Sequence, residues 1–254
     1  MNERGALFLV PNTLDFGVDS TAPLSAVLPE YTLNKAARIR YWIGEEAKST
    51  RAFLKRLGTL QPLCVSLQEM DIQSLPREVH KKGDHLGSRF DAKPLLAAAL
   101  AGHDVGLISE AGMPAVADPG SSVVRAAHAL GIEVVPLVGP VSLLLALAAS
   151  GLNGQNFAFV GYLPQDAQER AQRLRDLEKL AYATGQTQLF IETPYRNAAL
   201  HEALLQTLKP GTRLAISSGL TLPQAHTRSC TIGQWRERPG SLDRHLPAVF
   251  AIGV

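Results

Sequence analysis

The feature that most constrains the fold of this chain is a strand–loop–helix–strand unit across residues 104–140. Residues 105–108 (VGLI) form an uninterrupted apolar run, which is typical of a buried strand in a parallel sheet. A second apolar run covers residues 133–137, and the whole unit has about the length of one βαβ crossover. Small-residue loops follow the two runs, at 109–114 and 138–140. The unit therefore predicts an α/β fold.

The helix inside this unit carries its own start and stop signals. Ser121 and Ser122 are predicted to cap its N-terminus, because a serine hydroxyl accepts hydrogen bonds from the first free backbone N–H groups. Gly131 is predicted to end the helix, since glycine adopts the left-handed conformation that commonly follows a last helical turn.

The loops after the two strands are predicted to form a ligand site, because open α/β folds bind ligands at the carboxyl edge of their parallel sheets. Gly112 lets the backbone approach a ligand closely. Pro114 and Pro119 stiffen the loop, so that little ordering entropy is lost on binding. One such loop by itself would be interpreted as a packing connection. Two on neighbouring strands, one of them carrying Glu110, favour a site.

Strands and helices alternate along the rest of the chain, which predicts α/β structure throughout. The domain joint is placed near Gly139, which divides the chain into a parallel-sheet α/β domain at 1–138 and a mixed-sheet α/β domain at 139–254. Further strands are predicted at 5–11, 38–44, 63–67, 157–161, 188–191 and 213–217, with an antiparallel strand at 224–231 and a last apolar strand at 247–254.

Composition and motif searches narrow the function. With 46% apolar and 19% charged residues, no membrane-length apolar run and no signal peptide, the chain is expected to be a cytoplasmic globular protein. The two cysteines, Cys64 and Cys230, lack metal-ligand spacing and are expected to be buried. The phosphate-binding and nucleophile-elbow patterns are absent. The sequence also has no HExxH motif and no Cys/His cluster, so no catalytic metal is expected. The basic segment 77–93 is interpreted as a solvated loop, with a substrate-facing role as the alternative.

Several ordered motifs resemble the tetrapyrrole methylase superfamily. They are residues 107–114 (LISEAGMP), 117–120 (ADPG) and 134–140 (VVPLVGP). Within the superfamily, the sequence is most similar to the branch that 2′-O-methylates a cytidine of small-subunit ribosomal RNA. The further matches of that branch are 45–48 (EEAK), 161–164 (GYLP) and 192–196 (ETPYR).

This resemblance implies two α/β domains with S-adenosyl-L-methionine in a cleft between them, a homodimer, and ribosomal RNA or the small ribosomal subunit as partner. By matching position, it also implies the cofactor contacts. These are Pro11, Glu110, Ala111, Gly112, Met113, Val116, Val141, Ser142, Glu192, Gly219, Pro247 and Ala248.

The acceptor hydroxyl would lose a proton during transfer, so a general base would help. Glu46 and Glu192 are the catalytic candidates together with Arg196, whose cation could hold a phosphate. Glu45, also considered as a base, and Lys48 are the candidate substrate contacts. The competing interpretation is structural: Glu45 and Glu46 as helix-start charges, and Glu192–Arg196 as an ordinary i,i+4 pair.

The chain departs from the branch on the presumed acceptor side. Residues 15–16 (DF) replace a Gly-Asn pair, and 217–222 (SSGLTL) lack the Arg, Glu and Lys of the branch. Three functions therefore stay open: an RNA methyltransferase, a methyltransferase for a tetrapyrrole or another small acceptor, and a non-catalytic relative that binds the cofactor.

Overall fold

The computed structural model describes residues 4–15, 17–18, 21–76, 79 and 90–254. The chain divides into two compact units: the first takes in most residues up to Val141, and the second consists of Gly17–Thr21 and Ser142–Val254. Most of the basic segment predicted as a solvated loop lies outside the described residues.

The first unit is built on a five-stranded sheet in the order β3-β2-β4-β1-β5, with every pairing parallel. Its strands are β1 (Leu7–Val10), β2 (Tyr41–Gly44), β3 (Asp71–Ser74), β4 (Val105–Ile108) and β5 (Val134–Pro136). Because all five strands run in one direction, the loops that follow them lie along one edge of the sheet. The predicted strand–loop–helix–strand unit is confirmed as β4, a helix and β5.

Helices cover both faces of this sheet, because successive side chains of a strand point to opposite faces. Phe8 and Trp42 pack in one core cluster, and their chain neighbours Leu7 and Ile43 pack in another. Gly106 lets the Trp42 indole lie across β4, since a Cβ there would come within 2.8 Å of the ring. The helices are Leu24–Val27, Glu30–Ala37, Ala47–Gly58, Ala97–Leu100 and Ser121–Ala129, with a 3₁₀ turn at Lys93–Leu96.

The predicted strand at 63–67 is wrong. Those residues are irregular, and β3 begins at Asp71 instead. The apolar side chains Leu63, Val65 and Leu67 pack against the core from a loop, which imitates the alternation of a strand. β3 is an edge strand that pairs with β2, and its side chains are exposed or half-buried. Its sequence therefore shows no apolar run.

The helix after β4 begins differently from the prediction and ends as predicted. Its N-cap is Gly120 at φ +134°, so Ser121 is already the first helical residue. This φ is one that L side chains rarely adopt, and a Cβ at Gly120 would lie 3.1 Å from a Leu107 methyl group, so the position favours glycine over a capping serine. Gly131 adopts φ +63°, and the next N–H, of Ile132, donates to the Ala127 carbonyl at 2.9 Å, as in a Schellman motif.

The second unit holds a five-stranded sheet in the order β6-β7-β10-β8-β9. Its strands are β6 (Phe157–Tyr162), β7 (Thr187–Glu192), β8 (Arg213–Ser218), β9 (His226–Thr231) and β10 (Ala248–Gly253). β6 and β7 are parallel, and the other three pairings are antiparallel. The last strand, β10, lies in the centre and is buried along its whole length. The predicted α/β class and the antiparallel strand near 224–231 are confirmed.

The helices of the second unit pack Leu174, Leu177 and Trp235 against stacked Phe190 and Phe250 rings. They are Ser142–Ser150, Ala167–Thr184, Asn197–Thr207 and Ile232–Glu237, with a 3₁₀ turn at Pro194–Arg196.

Membrane-spanning helices, metal-ligand clusters and the burial of the two cysteines can be compared with the sequence analysis. Across the part that the structure describes, no helix has the length and apolarity needed to cross a membrane, and no cluster of potential metal ligands forms. The expected burial of both cysteines is wrong for Cys64, which is exposed on the loop before β3, while Cys230 is half-buried.

Candidate functional site

The loops after β1 and β4 are joined by hydrogen bonds at the carboxyl edge of the first sheet. Asn12 follows β1, and its backbone N–H donates to the Gly112 carbonyl at 2.8 Å. Gly112 N–H returns a longer bond to the Thr13 carbonyl at 3.4 Å. The Asn12 side-chain amide donates to the carbonyls of Ser109 and Glu110, each at 3.2 Å. The first part of the loop predicted to contact a cofactor is therefore held by one residue of the loop that follows β1.

Two glycines allow three strand-end loops to approach one another closely. Gly112 has φ +69°, and a Cβ on it would lie 3.1 Å from a Leu14 methyl group and 3.5 Å from the Pro140 carbonyl oxygen. Gly139 lies in the loop after β5, where a Cβ would come 2.3 Å from Cγ of Pro11. A side chain at either position would push these loops apart, so the geometry requires glycine at both.

The loop after β4 also carries backbone strain. Ala115 and Ala117 adopt φ +64° and +63°, a left-handed conformation that costs an L-residue roughly 1–2 kcal/mol. The loop is closed on itself, because the Ala115 N–H donates to the Pro119 carbonyl at 3.2 Å. Strained residues of this kind persist where the surroundings hold them, and they concentrate at ligand sites.

Three carboxyl groups lie near the ends of β2 and β4. Glu45 accepts the Glu110 N–H through Oε1 at 3.1 Å. Burial raises the pKa of the Asp118 carboxyl to about 7, the negative charges of Glu45 and Glu110 add to the rise, and a hydrogen bond from Ser109 opposes it. Asp118 therefore changes its charge around neutral pH, within the loop to which the family resemblance assigns cofactor contacts.

The predicted residues of the second unit meet at one edge of the second sheet. Ala248 opens β10 between two partners, Glu192 of β7 and Ser218 of β8. Gly219 has φ +59° and donates its N–H to the Pro247 carbonyl at 3.0 Å. The fold thus brings together four predicted contacts that are spread over the last quarter of the chain: Glu192, Gly219, Pro247 and Ala248.

Glu192 and Arg196 form an ion pair beside this edge. Oε1 of the nearly buried Glu192 accepts from Arg196 Nε at 3.0 Å and from Nη2 at 2.9 Å. The Thr193 N–H donates to the same oxygen at 2.7 Å. The i,i+4 pair that the sequence allowed is present, and it holds the guanidinium of Arg196 in one place next to the exposed Tyr195 ring. This arrangement suits Arg196 for orienting an anionic group.

The other candidates for catalysis and substrate contact lie at the end of β2. Glu46 is the N-cap residue of the helix Ala47–Gly58, and its carbonyl accepts from Thr50 N and Oγ1 at 3.1 and 3.0 Å. The side chains of Glu46 and Lys48 are exposed and make no hydrogen bond to the described residues. The Glu45 side chain bonds the loop after β4, whereas Glu46 occupies the N-cap position without a side-chain capping bond, so the two neighbours differ in their surroundings.

The remaining predicted cofactor positions differ in exposure. Pro11 is buried, and Val116 is 42% exposed at the tip of the loop after β4. Half-buried positions are Ala111, Met113, Val141 and Ser142. Ser142 is the first residue of the helix Ser142–Ser150.

Four residues that the sequence analysis did not select contribute to the first-unit site: Asn12, Asp15, Arg56 and Asp118. Asp15 and Arg56 form an ion pair at 3.1 Å that anchors the loop carrying Asn12. A polar residue directly after a buried strand was the available signal for Asn12. No local pattern marks Arg56, because its partner is 41 residues away in the chain.

Comparisons with known proteins show the family and the fold of this chain. The sequence model of the family described as Tetrapyrrole (Corrin/Porphyrin) Methylases matches residues 32–235. Two solved structures share the fold over 98% of this chain and 94% of their own, each at 17% identity. They are a uroporphyrin-III-C-methyltransferase from Thermus thermophilus, with a TM-score of 0.51, and the methyltransferase CobJ, with a TM-score of 0.55.

Three curated relatives carry the name ribosomal RNA small subunit methyltransferase I. The protein of Mesorhizobium japonicum is 41% identical over 149 residues, which are 58% of this chain and 49% of the relative. The Pseudomonas aeruginosa protein is 45% identical over 95 residues, 37% of this chain and 32% of the relative. The Escherichia coli O157:H7 protein is 28% identical over 233 residues, 92% of this chain and 71% of the relative. The match thus spans less than half the length of the first two.

The family match extends over most of the chain, from the helix Glu30–Ala37 to Trp235 in the helix Ile232–Glu237. It includes the strained loop after β4, the loop after β5 and the Glu192–Arg196 pair. From the fold, these loops and the family match together, we conclude that this chain belongs to the tetrapyrrole methylase family.

Proposed function

We propose that this protein is an S-adenosyl-L-methionine-dependent methyltransferase that acts on a ribose 2′-hydroxyl of small-subunit ribosomal RNA. The observation that carries the methyl-donor part is the interlocked pair of loops around Asn12 and Gly112, within a chain of the tetrapyrrole methylase family. The acceptor part rests on the name shared by the curated relatives, ribosomal RNA small subunit methyltransferase I.

The residues at the two sheet edges suit a cofactor that is bound largely through backbone groups. In the first unit, Gly112 has no side chain that would keep a ligand away from the backbone of the loop after β4. In the second unit, the buried hydroxyl oxygens of Ser218 and Thr221 flank Gly219 and have no hydrogen-bond partner among the described residues. Buried polar atoms normally find a partner, so these two hydroxyls are available to a polar ligand. The proposed cofactor contacts are Pro11, Glu110, Ala111, Gly112, Met113, Val116, Val141, Ser142, Glu192, Gly219, Pro247 and Ala248.

The proposal includes the organisation of the whole protein. The domains would be 1–138 and 139–254, each contributing cofactor contacts, and two copies of the chain would form a homodimer. With ribosomal RNA as the acceptor, the protein would act in the cytoplasm, where small ribosomal subunits are assembled.

S-adenosyl-L-methionine, when bound, supplies a methyl group on a sulfonium, which is transferred by in-line displacement. The contribution of this chain is to align the acceptor oxygen and to exclude water. Arg196, held by Glu192, is proposed to orient a phosphate of the acceptor strand. Lys48 and Glu45 are proposed to contact the acceptor from the end of β2.

The proton of the acceptor hydroxyl needs a base. Glu46 is the stronger candidate, because its exposed carboxylate makes no hydrogen bond to the described residues. Oε1 of Glu192 already accepts hydrogen bonds from Arg196 and Thr193, which suits a positioning role better than proton transfer.

A tetrapyrrole or another small acceptor is the alternative. It is favoured by the segment 217–222, which lacks the basic and acidic residues of the RNA-modifying branch. A non-catalytic relative that binds the cofactor is the third possibility, and the following experiment separates the RNA acceptor from both alternatives.

The test begins with calorimetric binding of S-adenosylhomocysteine to the purified protein. Small ribosomal subunits from cells lacking the protein are then incubated with it and S-adenosyl-L-methionine, and the rRNA is analysed by mass spectrometry. The proposal is supported if incubation creates a ribose-methylated cytidine in these subunits, and if subunits from cells that contain the protein already carry the same methylated cytidine before incubation. Binding without methylation of any subunit preparation would contradict the RNA acceptor, and absence of binding would contradict the methyl-donor site as well.

A further inference from the structure

The loop after β4 owes its position to a residue outside the proposed contact set. We infer that Asn12 is a positioning residue, which fixes the Ser109–Gly112 backbone in the geometry that receives the methyl donor. This inference rests on the proposed function and adds a residue to it. The cofactor and substrate contacts that the family resemblance implies do not include Asn12.

The Asn12 side chain matches its surroundings group by group. It is 7% exposed, its amide nitrogen donates to the carbonyls of Ser109 and Glu110, and its Oδ1 accepts the Thr13 N–H at 2.9 Å. Among natural side chains of this length, an amide alone offers two N–H donors and an acceptor on one rigid plane. An aspartate would keep the shape and the acceptor, but it would turn carboxylate oxygens toward two carbonyl oxygens.

Asn12 holds the loop after β4 through both its side chain and its backbone. Asn12 contacts the loop through its backbone N–H as well, at Gly112. The loop itself contains the left-handed Ala115 and Ala117, so its conformation is not one that the chain prefers by itself. A strained loop needs an external partner to select its conformation, and the Asn12 amide supplies that partner at the strand end.

The loop that carries Asn12 is in turn held by the helix Ala47–Gly58. Arg56 Nη2 lies 3.1 Å from Asp15 Oδ2 and donates to the Ala22 carbonyl at 2.6 Å, while Nη1 donates to Thr13 Oγ1 at 3.2 Å. Asp15 is 8% exposed and also accepts from the Thr13 hydroxyl and, at 3.3 Å, from the Ala22 N–H. Asp15 replaces a glycine of the RNA-modifying branch, so this anchor belongs to the part of the chain that departs from that branch.

The experiment compares Asn12→Asp with the wild-type protein by two measurements. Amide hydrogen exchange without ligand reports whether the 109–112 segment is held, and calorimetry with S-adenosylhomocysteine reports whether that geometry matters for binding. We expect faster exchange at 109–112 with unchanged exchange in β4, and about 10- to 100-fold weaker binding, because two buried carbonyls lose their donors.

Asp104→Asn is the matched control. Asp104 accepts the Ala6 N–H at 3.1 Å and so anchors backbone at the opposite, amino edge of the same sheet. The Asp104→Asn variant should alter the thermal unfolding midpoint without changing the dissociation constant of S-adenosylhomocysteine. A general loss of stability would weaken binding equally in both variants, and that result would overturn the positioning role.

If Asn12→Asp does not fold, Arg56→Lys is the second test, because Arg56 anchors the loop that carries Asn12. It keeps the charge but loses the forked geometry, and about 3- to 10-fold weaker binding is expected. Wild-type binding of S-adenosylhomocysteine with no effect of either variant would overturn the inference and leave the proposed function intact. No binding by the wild type would contradict the proposed function, and the exchange rates at 109–112 would still show whether Asn12 holds the loop.

Discussion

Glu192 and Arg196 are joined across the end of β7, with Arg196 Nη2 2.9 Å from Glu192 Oε1. Both side chains are largely shielded from solvent, and the carboxylate is the more buried partner. The carboxylate therefore fixes the position of the guanidinium, and under the proposed function the remaining N–H groups of Arg196 orient an anionic acceptor. The pair lies beside Ala248, where the proposed cofactor contacts of the second unit meet.

Replacement of Arg196 by alanine is expected to lower turnover on the order of 10²-fold, because the acceptor loses its alignment. The dissociation constant of S-adenosylhomocysteine should be unchanged. The measurement is single-turnover methyl transfer to small ribosomal subunits, beside calorimetry. Arg175→Ala, on the exposed face of the helix Ala167–Thr184, is the control and should keep full turnover. Full turnover in Arg196→Ala would show that this cation does not orient the acceptor.

Gly112→Ala is expected to cost about 1–2 kcal/mol of unfolding free energy from its positive φ alone, with a further cost from the Leu14 contact. It should also weaken S-adenosylhomocysteine binding. Gly151→Ala is a close control, because Gly151 has the same φ of +69° with nothing within 4 Å of a Cβ. Urea unfolding and calorimetry on both variants separate backbone strain from crowding. Equal stability losses and unchanged binding in the two variants would contradict the close approach of the loops.

The Asp118 carboxyl predicts a pH-dependent stability. Its pKa is raised from 3.8 to about 7, so the folded protein binds a proton that the unfolded chain has released between these values. Stability should therefore fall as pH rises from about 4 to 7 and then level off. Asp118→Asn removes this dependence.

The measurement for Asp118 is urea unfolding at pH 5 and pH 7.5. Relative to Asp118→Asn, the wild type should lose about 1–2 kcal/mol between these pH values, after allowance for partial solvent screening. A constant difference between the two proteins across this range would show that Asp118 is charged throughout.

Arg56→Met is expected to cost about 3–5 kcal/mol of unfolding free energy, because it leaves the buried Asp15 carboxylate without its cation. The comparison is Lys35→Met, which breaks a more exposed ion pair with Asp104 and should cost about 1 kcal/mol or less. Denaturant unfolding of both variants tests the contrast. Adding Asp15→Leu to Arg56→Met should recover part of the loss, and a further loss in the double variant would argue against this explanation.

Much of the local structure follows from short-range chemistry. The apolar runs of β4 and β10, the left-handed glycine at 131 and the small-residue loops after β4 and β5 were predictable, since each depends on a few neighbouring residues. The exceptions are informative. The alternating residues 63–67 cover the core from a loop. The N-cap is a glycine and not the expected serine, because the backbone there has a positive φ and lies close to Leu107.

The sequence by itself determined the α/β class, the strand ends that carry the candidate site and the family resemblance, because periodicity, turn residues and ordered motifs are local properties. Tertiary structure alone decided that Asn12 meets Ser109, 97 residues away, and that Arg56 meets Asp15. Those contacts depend on the strand order β3-β2-β4-β1-β5, which places β1 beside β4. Strand order is set by how distant apolar faces pack together, and no local pattern in the chain records it.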